Sequence, residues 1–150
     1  MKGIQKHVFA TTFIFSFLPL LLSAQWLETT IYIPDSLCGI QYPQAFTYNE
    51  TNNTIYVGGE DGNCVIAIDG TTNEKIAKIP AGENITALCW NSIDNKVYCA
   101  NYISANVTVI NGATNAVITT IPAGNFPYAL VYNSTNNKVY CTNYYNDNVT

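Results

Sequence analysis

Three near-copies of one ten-residue phrase recur in this chain at a constant spacing: YNETNNTIYV from Tyr48, WNSIDNKVYC from Trp90 and YNSTNNKVYC from Tyr132. The starts lie 42 residues apart, and no gap is needed between copies. A fixed period means one supersecondary unit stacked on copies of itself, since so short a unit cannot bury its apolar faces alone. The likeness extends beyond the phrase. IPAGENITALCW from Ile79 aligns with IPAGNFPYALVY from Ile121, and VIAIDGTTN from Val65 aligns with VTVINGATN from Val107. GIQYPQAFTYN from Gly39 matches the same strand with a changed approach loop. Asn148 to Thr150 align with residues 106–108, at the opening of a strand, so the chain is expected to stop inside a unit of a longer array.

Each unit reads as four short strands. In the second unit they are 86–90, 96–100, 106–110 and 116–121, rich in Val, Ile, Tyr and Thr, the residues that half-buried pleated surfaces prefer. The intervening stretches are turn-rich: Asp94-Asn95, Ser104-Ala105, Asn111-Gly112 with Thr114-Asn115, and 122–127. The third of these, about five residues long, predicts a type I turn with a Gly or Asn left-handed exit. No stretch after the first segment shows a helical period, so the fold class is all-β.

Strand parity narrows the architecture. Phe46 and Tyr48, Leu88 and Trp90, Leu130 and Tyr132 point one way along strand one. Ala45 and Thr47, Ala87 and Cys89, Ala129 and Val131 point the other. Both faces are apolar, whereas a sheet with one solvated face would alternate apolar with polar. Each sheet therefore expects a neighbour on both sides. A sandwich predicts neither that nor the period; a β-propeller of four-stranded blades with a period of roughly 40–45 residues predicts both.

The first segment stands apart. Met1 to Ala24 carries Lys2, Lys6 and His7, then an apolar run over 8–22, then Ser23-Ala24. This is the pattern of a secretory signal peptide cut near Ala24, and the run is shorter than the roughly twenty residues a bilayer requires. The expected organisation is residues 1–24 as leader and 25–150 as a partial propeller, exported to the periplasm, the cell surface or the medium, with no membrane span after cleavage. Past the cut stand four lysines, Lys75, Lys78, Lys96 and Lys138, no arginine and all ten acidic residues. Nucleic-acid binders cluster Lys and Arg to displace counterions from phosphates, so no nucleic-acid partner is expected.

NKVYCANYISANVTVINGATNAVITTIPAGNFPYALVYN and NKVYCTNYYNDNVT resemble the YVTN-type, or YncE-like, β-propeller repeat over about three-quarters of the chain. That family shows a Tyr-Val-Thr-Asn phrase, a V-x-V-I-D strand and an I-P-V-G turn. Tyr140-Cys141-Thr142-Asn143 departs by one residue, Tyr98-Cys99-Ala100-Asn101 by more, and Tyr56-Val57-Gly58-Gly59 has lost the Asn. The resemblance implies a prokaryotic exported propeller, often of seven blades, many without known ligand or reaction. Residues 25–150 amount to three periods of 42, fewer than the about four to eight blades that close a ring. The chain by itself is therefore expected to self-associate through an open apolar face.

Little here carries chemistry. The lone histidine, His7, is in the leader, so residues 25–150 have no imidazole for acid–base catalysis, zinc or haem. Cys38, Cys64, Cys89, Cys99 and Cys141 form no C-x-x-C pair and read as small buried hydrophobes. Cys89 and Cys99 would face each other if the intervening loop had three residues. Cys99 and Cys141, at equivalent places in stacked sheets about 10 Å apart, are too distant to bond. Glu60-Asp61-Gly62-Asn63 and Asn146-Asp147-Asn148 share one inter-strand turn without the Ca²⁺-loop spacing, and read as solvated turns. N-x-[ST] sequons begin at Asn49, Asn52, Asn84, Asn106, Asn133 and Asn148, a by-product of Asn-rich turns before Thr-rich strands. Tyr56, Tyr98 and Tyr140 recur at one position and Tyr102 and Tyr144 at another, with Tyr128 and Tyr145 near strand ends. Recurrence favours packing between units, with stacking of sugars or peptides as the alternative.

The sequence thus assigns no catalytic, cofactor-binding or metal residue and no cofactor. The favoured reading is an exported non-catalytic propeller, a scaffold for an unidentified protein or polysaccharide ligand. A lactonase-like or quinoprotein-like enzyme with its active residues in further blades is the alternative, and a single-stranded DNA binder is opposed by the absent arginines. Fold alone does not decide among them.

Overall fold

The computed structural model describes residues 29–32 and 39–150. The expected leader, 1–24, and Cys38 lie outside the described residues. The described residues from 31 onward form one compact unit of eleven strands. The first sheet contains β1 (Gln41–Asn49), β2 (Thr54–Asp61), β3 (Cys64–Asp69) and β4 (Lys75–Pro80). The second contains β5 (Ile85–Asn91), β6 (Lys96–Asn101), β7 (Asn106–Asn111) and β8 (Val117–Pro122). The third contains β9 (Pro127–Asn133), β10 (Lys138–Asn143) and β11 (Asn148–Val149). Each sheet is an antiparallel meander in chain order, and the described residues contain no helix.

The three recurrent phrases form the first hairpin of each sheet in one register: Tyr48 faces Ile55, Trp90 faces Val97, and Tyr132 faces Val139. Asn53, Asn95 and Asn137 close these hairpins with φ of 48°, 49° and 54°. Asn tolerates this left-handed geometry better than most residues. The expected Gly-or-Asn exit of the third turn is Asn in both complete cases, Asn73 at φ 61° and Asn115 at φ 59°. Gly112 meets a different demand. A Cβ there would sit 2.6 Å from Asn49 Nδ2 and 2.8 Å from the Asn95 carbonyl oxygen, closer than real atoms approach.

Period-2 alternation sends successive side chains to opposite faces, and the sheets pack accordingly. Ala45, Tyr56, Val65 and Ile79 of the first sheet form one core with Ile85, Leu88, Val97, Cys99 and Ile110 of the second. Fully burying an aliphatic side chain such as Ile79 or Ile85 is worth about 1.5–3 kcal/mol. Ala100 and Val107 of the second sheet bury against Cys141 of the third, with Leu130 alongside. The sheets meet at their leading strands: β5 packs on β1 and β2 on one side and on β9 on the other, with no comparable contact between β4 and β8. They fan out from there.

Only the second sheet is covered by a sheet on both sides. Phe46, which occupies the place of Leu88, is 77% exposed, and Val131, in the place of Cys89, is 60% exposed. The expectation of two neighbours per sheet is met where a neighbouring sheet exists within the chain. The far side of the first sheet is partly closed by Ile31, packed against Ile40, Cys64, Ile66 and Ile68.

The three-residue loop that would bring Cys89 opposite Cys99 does not form. Cys89 does not face Cys99, because the hairpin turn has four residues between Asn91 and Lys96, and the register pairs Leu88 with Cys99 and Cys89 with Tyr98. The shift of one residue puts the two sulfurs on opposite faces. Cys89, Cys99 and Cys141 are thiols, each with its pKa raised by burial.

Candidate binding rim

Alternation of turns gives the sheets two different ends. One carries the β1–β2 and β3–β4 turns and their equivalents; the other carries the β2–β3 turns and the connections between sheets.

The first end is an amide ladder. Asn49 Nδ2 donates to Asn95 Oδ1 of the next sheet at 2.8 Å, and Asn91 Nδ2 donates to Asn137 Oδ1 at 2.9 Å. Asn95 Nδ2 returns a bond to Asn52 Oδ1 at 2.8 Å. Tyr56 donates its hydroxyl to Asn115 Oδ1 at 2.6 Å, and burial pushes the phenol pKa up. Asn49 and Asn91 are buried, yet no buried side-chain nitrogen or oxygen among the described residues lacks a partner. Asn49 is therefore a clamp between sheets, and its sequon is closed off in the folded chain. Sequence reasoning missed this ladder. Its signal was present in the recurrence of Asn49, Asn91 and Asn133 and of Asn53, Asn95 and Asn137, each at one place in the repeated phrase.

The second end carries a cluster of aromatic side chains in mutual contact. Tyr102 stacks on Phe126 with ring centroids 4.6 Å apart and planes at 22°, and meets Tyr128 edge-on at 6.3 Å. Phe126 meets Tyr145 at 5.8 Å, and Tyr128 meets Tyr144 at 6.0 Å. These five rings form a continuous ridge across the connection between the second and third sheets. Tyr128, Tyr144 and Tyr145 are 56%, 68% and 71% exposed. The other recurrent set behaves differently: Tyr56 is buried and Tyr98 packs beside Ala100 and Leu130. Packing thus accounts for Tyr56 and Tyr98, while Tyr102, Tyr128, Tyr144 and Tyr145 come together at the surface.

Backbone bonds hold the ridge. Tyr102 N donates to the Asn84 carbonyl at 2.8 Å and Tyr144 N donates to the Phe126 carbonyl at 2.9 Å. Asn125 N donates to Asn146 Oδ1 at 2.7 Å. Phe126 has φ of 57°, and Tyr42, at the equivalent place, has 48°. A bulky side chain in this region is uncommon and costs about 1–3 kcal/mol. At the third equivalent position, Asn84 adopts the same conformation with a residue suited to it.

Two clefts lie elsewhere. One of about 400 Å³ is bordered by Pro80, Ala81, Asn106, Thr108, Val117 and Thr120; one of about 80 Å³ is bordered by Tyr98, Val107, Leu130 and Cys141. No group of three or more His, Cys, Asp or Glu side chains converges among the described residues. Asp69 is held below its ordinary carboxylate pKa by the backbone N–H groups of Thr72 and Thr71, which makes it a turn-former; Asn111 does the same for Ala113 and Thr114. The segments 60–63 and 146–148 lie in equivalent turns at the aromatic end. Among the described residues no helix is long and apolar enough to cross a membrane.

Antiparallel sheets that fan out from their leading strands define a propeller-like fold, and solved structures agree. The chain is similar to hydrazine synthase of Kuenenia stuttgartiensis, with a TM-score of 0.65 and 17% identity over 79% of this chain and 32% of that one. It is also similar to a chain of the mitotic checkpoint complex, with a TM-score of 0.61 and 14% identity over 70% of this chain and 35% of that one. At such identities the likeness is one of fold. The chain spans about a third of the length of each. No family model and no curated protein matches it.

Proposed function

We propose that this chain is an exported, non-catalytic β-propeller scaffold of the YVTN-like type, built of 42-residue blades, which contacts a protein or polysaccharide through the loops at one end of its sheets. The observation that carries the reading is the aromatic ridge. Large side chains are exposed there in a fixed arrangement, although burying them would stabilise a chain that needed no surface. Equivalent loops from successive sheets fall on the same rim, so contacts add along it, as in other repeat scaffolds. The leader-like segment 1–24 supports export.

The test is to express the full chain with its own leader in a Gram-negative host, read the N-terminus by mass spectrometry, and assay the exported fraction with lactones and with quinone cofactors. The expected product begins at Gln25 outside the cytoplasm and turns over neither substrate class. An uncut chain kept in the cytoplasm refutes export, and turnover refutes a non-catalytic role.

A further inference from the structure

We infer that the aromatic ridge takes a neutral polysaccharide, its sugar faces stacked on the exposed rings of Tyr128, Tyr144 and Tyr145, which the stacked pair Tyr102 and Phe126 supports from beneath. This rests on the scaffold reading and names the ligand class of that rim. A pyranose carries C–H groups on its faces and hydroxyls around its edge. The faces suit the electron-rich surfaces of aromatic rings, and the edge needs hydrogen-bonding groups beside them. The ridge offers both. Tyr144 and Tyr145 are accessible, and the amides of Asn125 and Asn146 stand in the same loops.

Charge decides which polysaccharide. This end carries Glu60, Asp61, Glu83 and Asp147 and no cation; Lys75, Lys96 and Lys138 begin strands at the opposite end, and Lys78 is within β4. A uronic acid polymer or a phosphate backbone would meet like charge without a counter-charge, which disfavours binding. A neutral glycan meets no such penalty.

Backbone chemistry disfavours a peptide. Extended peptides bind by adding to an open ladder of N–H and C=O groups. Here the N–H groups of Tyr102, Tyr144 and Tyr145 are already donated to Asn84, Phe126 and Asn125. What remains for a ligand is ring faces, hydroxyls and side-chain amides.

The experiment is isothermal titration of the exported chain with cellohexaose, xylohexaose and maltohexaose, with hexagalacturonate and a proline-rich decapeptide as competing classes. At least one neutral hexasaccharide is expected to bind, and hexagalacturonate is not. Tyr144→Ala and Tyr145→Ala should each weaken binding about three- to tenfold, while Tyr145→Phe keeps it. Urea unfolding midpoints matching the parent show that the variants are folded. The inference is overturned by no binding of any neutral hexasaccharide at millimolar concentration, by affinity unchanged in both alanine variants, or by preferential binding of hexagalacturonate or the peptide. None of these touches the scaffold reading, which falls on cytoplasmic retention or on turnover.

Discussion

Gly59 shows how one position is read through its neighbours. In the second and third sheets the equivalent residues are Asn101 and Asn143, both buried. Asn101 donates Nδ2 to Asn106 Oδ1 at 2.7 Å and to Thr108 Oγ1 at 2.8 Å; Asn143 does the same to Asn148 and Thr150. Each leans on a glycine, Gly82 or Gly124, whose missing Cβ leaves the space: one added would lie 2.6 Å from Asn101 Cβ or Asn143 Cγ. In the first sheet all four places change together. Ile40 stands for the glycine, Gly59 for the asparagine, and Cys64 and Ile66 for the two hydrogen-bond partners, so a polar knot becomes an apolar one. Loss of the recurrent asparagine at Gly59 is therefore a volume and polarity exchange with Ile40. Gly59→Asn alone should destabilise by about 1–3 kcal/mol or more, from overpacking against Ile40 and a buried amide with no partner. Transplanting the whole set, Ile40→Gly, Gly59→Asn, Cys64→Asn and Ile66→Thr, should cost less than the sum of the four single changes. Urea unfolding measures each, and simple additivity would sink the idea that these positions act as one unit.

The fourth strands of the first two sheets are equivalent in place and opposite in character. β4 reads Lys-Ile-Ala-Lys-Ile-Pro, and β8 reads Val-Ile-Thr-Thr-Ile-Pro with all six residues exposed. Each is the last strand of its sheet, with one side unpaired. Lysine on an edge strand discourages pairing with another chain, and β8 has none while keeping the β-branched composition that invites it. Ile118→Lys should therefore suppress aggregation on heating, followed by light scattering, with stability changed by no more than about 0.5 kcal/mol. Unchanged scattering would place the aggregating surface elsewhere. Strands such as these were legible because period-2 alternation and Asn-containing turns are local signals: 86–90, 96–100, 106–110 and 116–121 differ from the observed bounds by a residue or so. Pairing across a turn was less legible. One extra residue in the 92–95 turn moved Cys89 to the face opposite Cys99. The aromatic ridge was half legible, since recurrence marks Tyr102 and Tyr144 as equivalent but is silent on whether a repeated ring faces a neighbouring sheet or solvent. Only the distances between loops separate Tyr56 from Tyr102.

Among the described residues, the outer faces of the first and third sheets are complementary by construction, the first being only partly covered, by Ile31. Leu88 and Trp90 of the second sheet face the first, where Ala45 and Tyr56 receive them; Leu130 of the third sheet faces Ala87, Ala100 and Tyr98 of the second. Phe46 and Tyr48 present the same kind of knob outward from the first sheet, and Ala129, Val131 and Tyr140 present the same kind of receiving surface outward from the third. Expressed as these 150 residues, one copy can therefore seat its first sheet on the third sheet of another. Such a contact is head-to-tail, so it propagates unless it closes into a ring. Sedimentation velocity should show mass rising with concentration. Phe46→Lys or Val131→Lys alone should return a monomer, because every contact needs one face of each kind. Mixing the two variants should give a one-to-one dimer, since each supplies the face that the other has lost. A parent monomer at all concentrations would show that these faces do not associate. Oligomers that survive both substitutions, or variants that stay monomeric when mixed, would show that association runs through another surface, with the β8 edge the first to test.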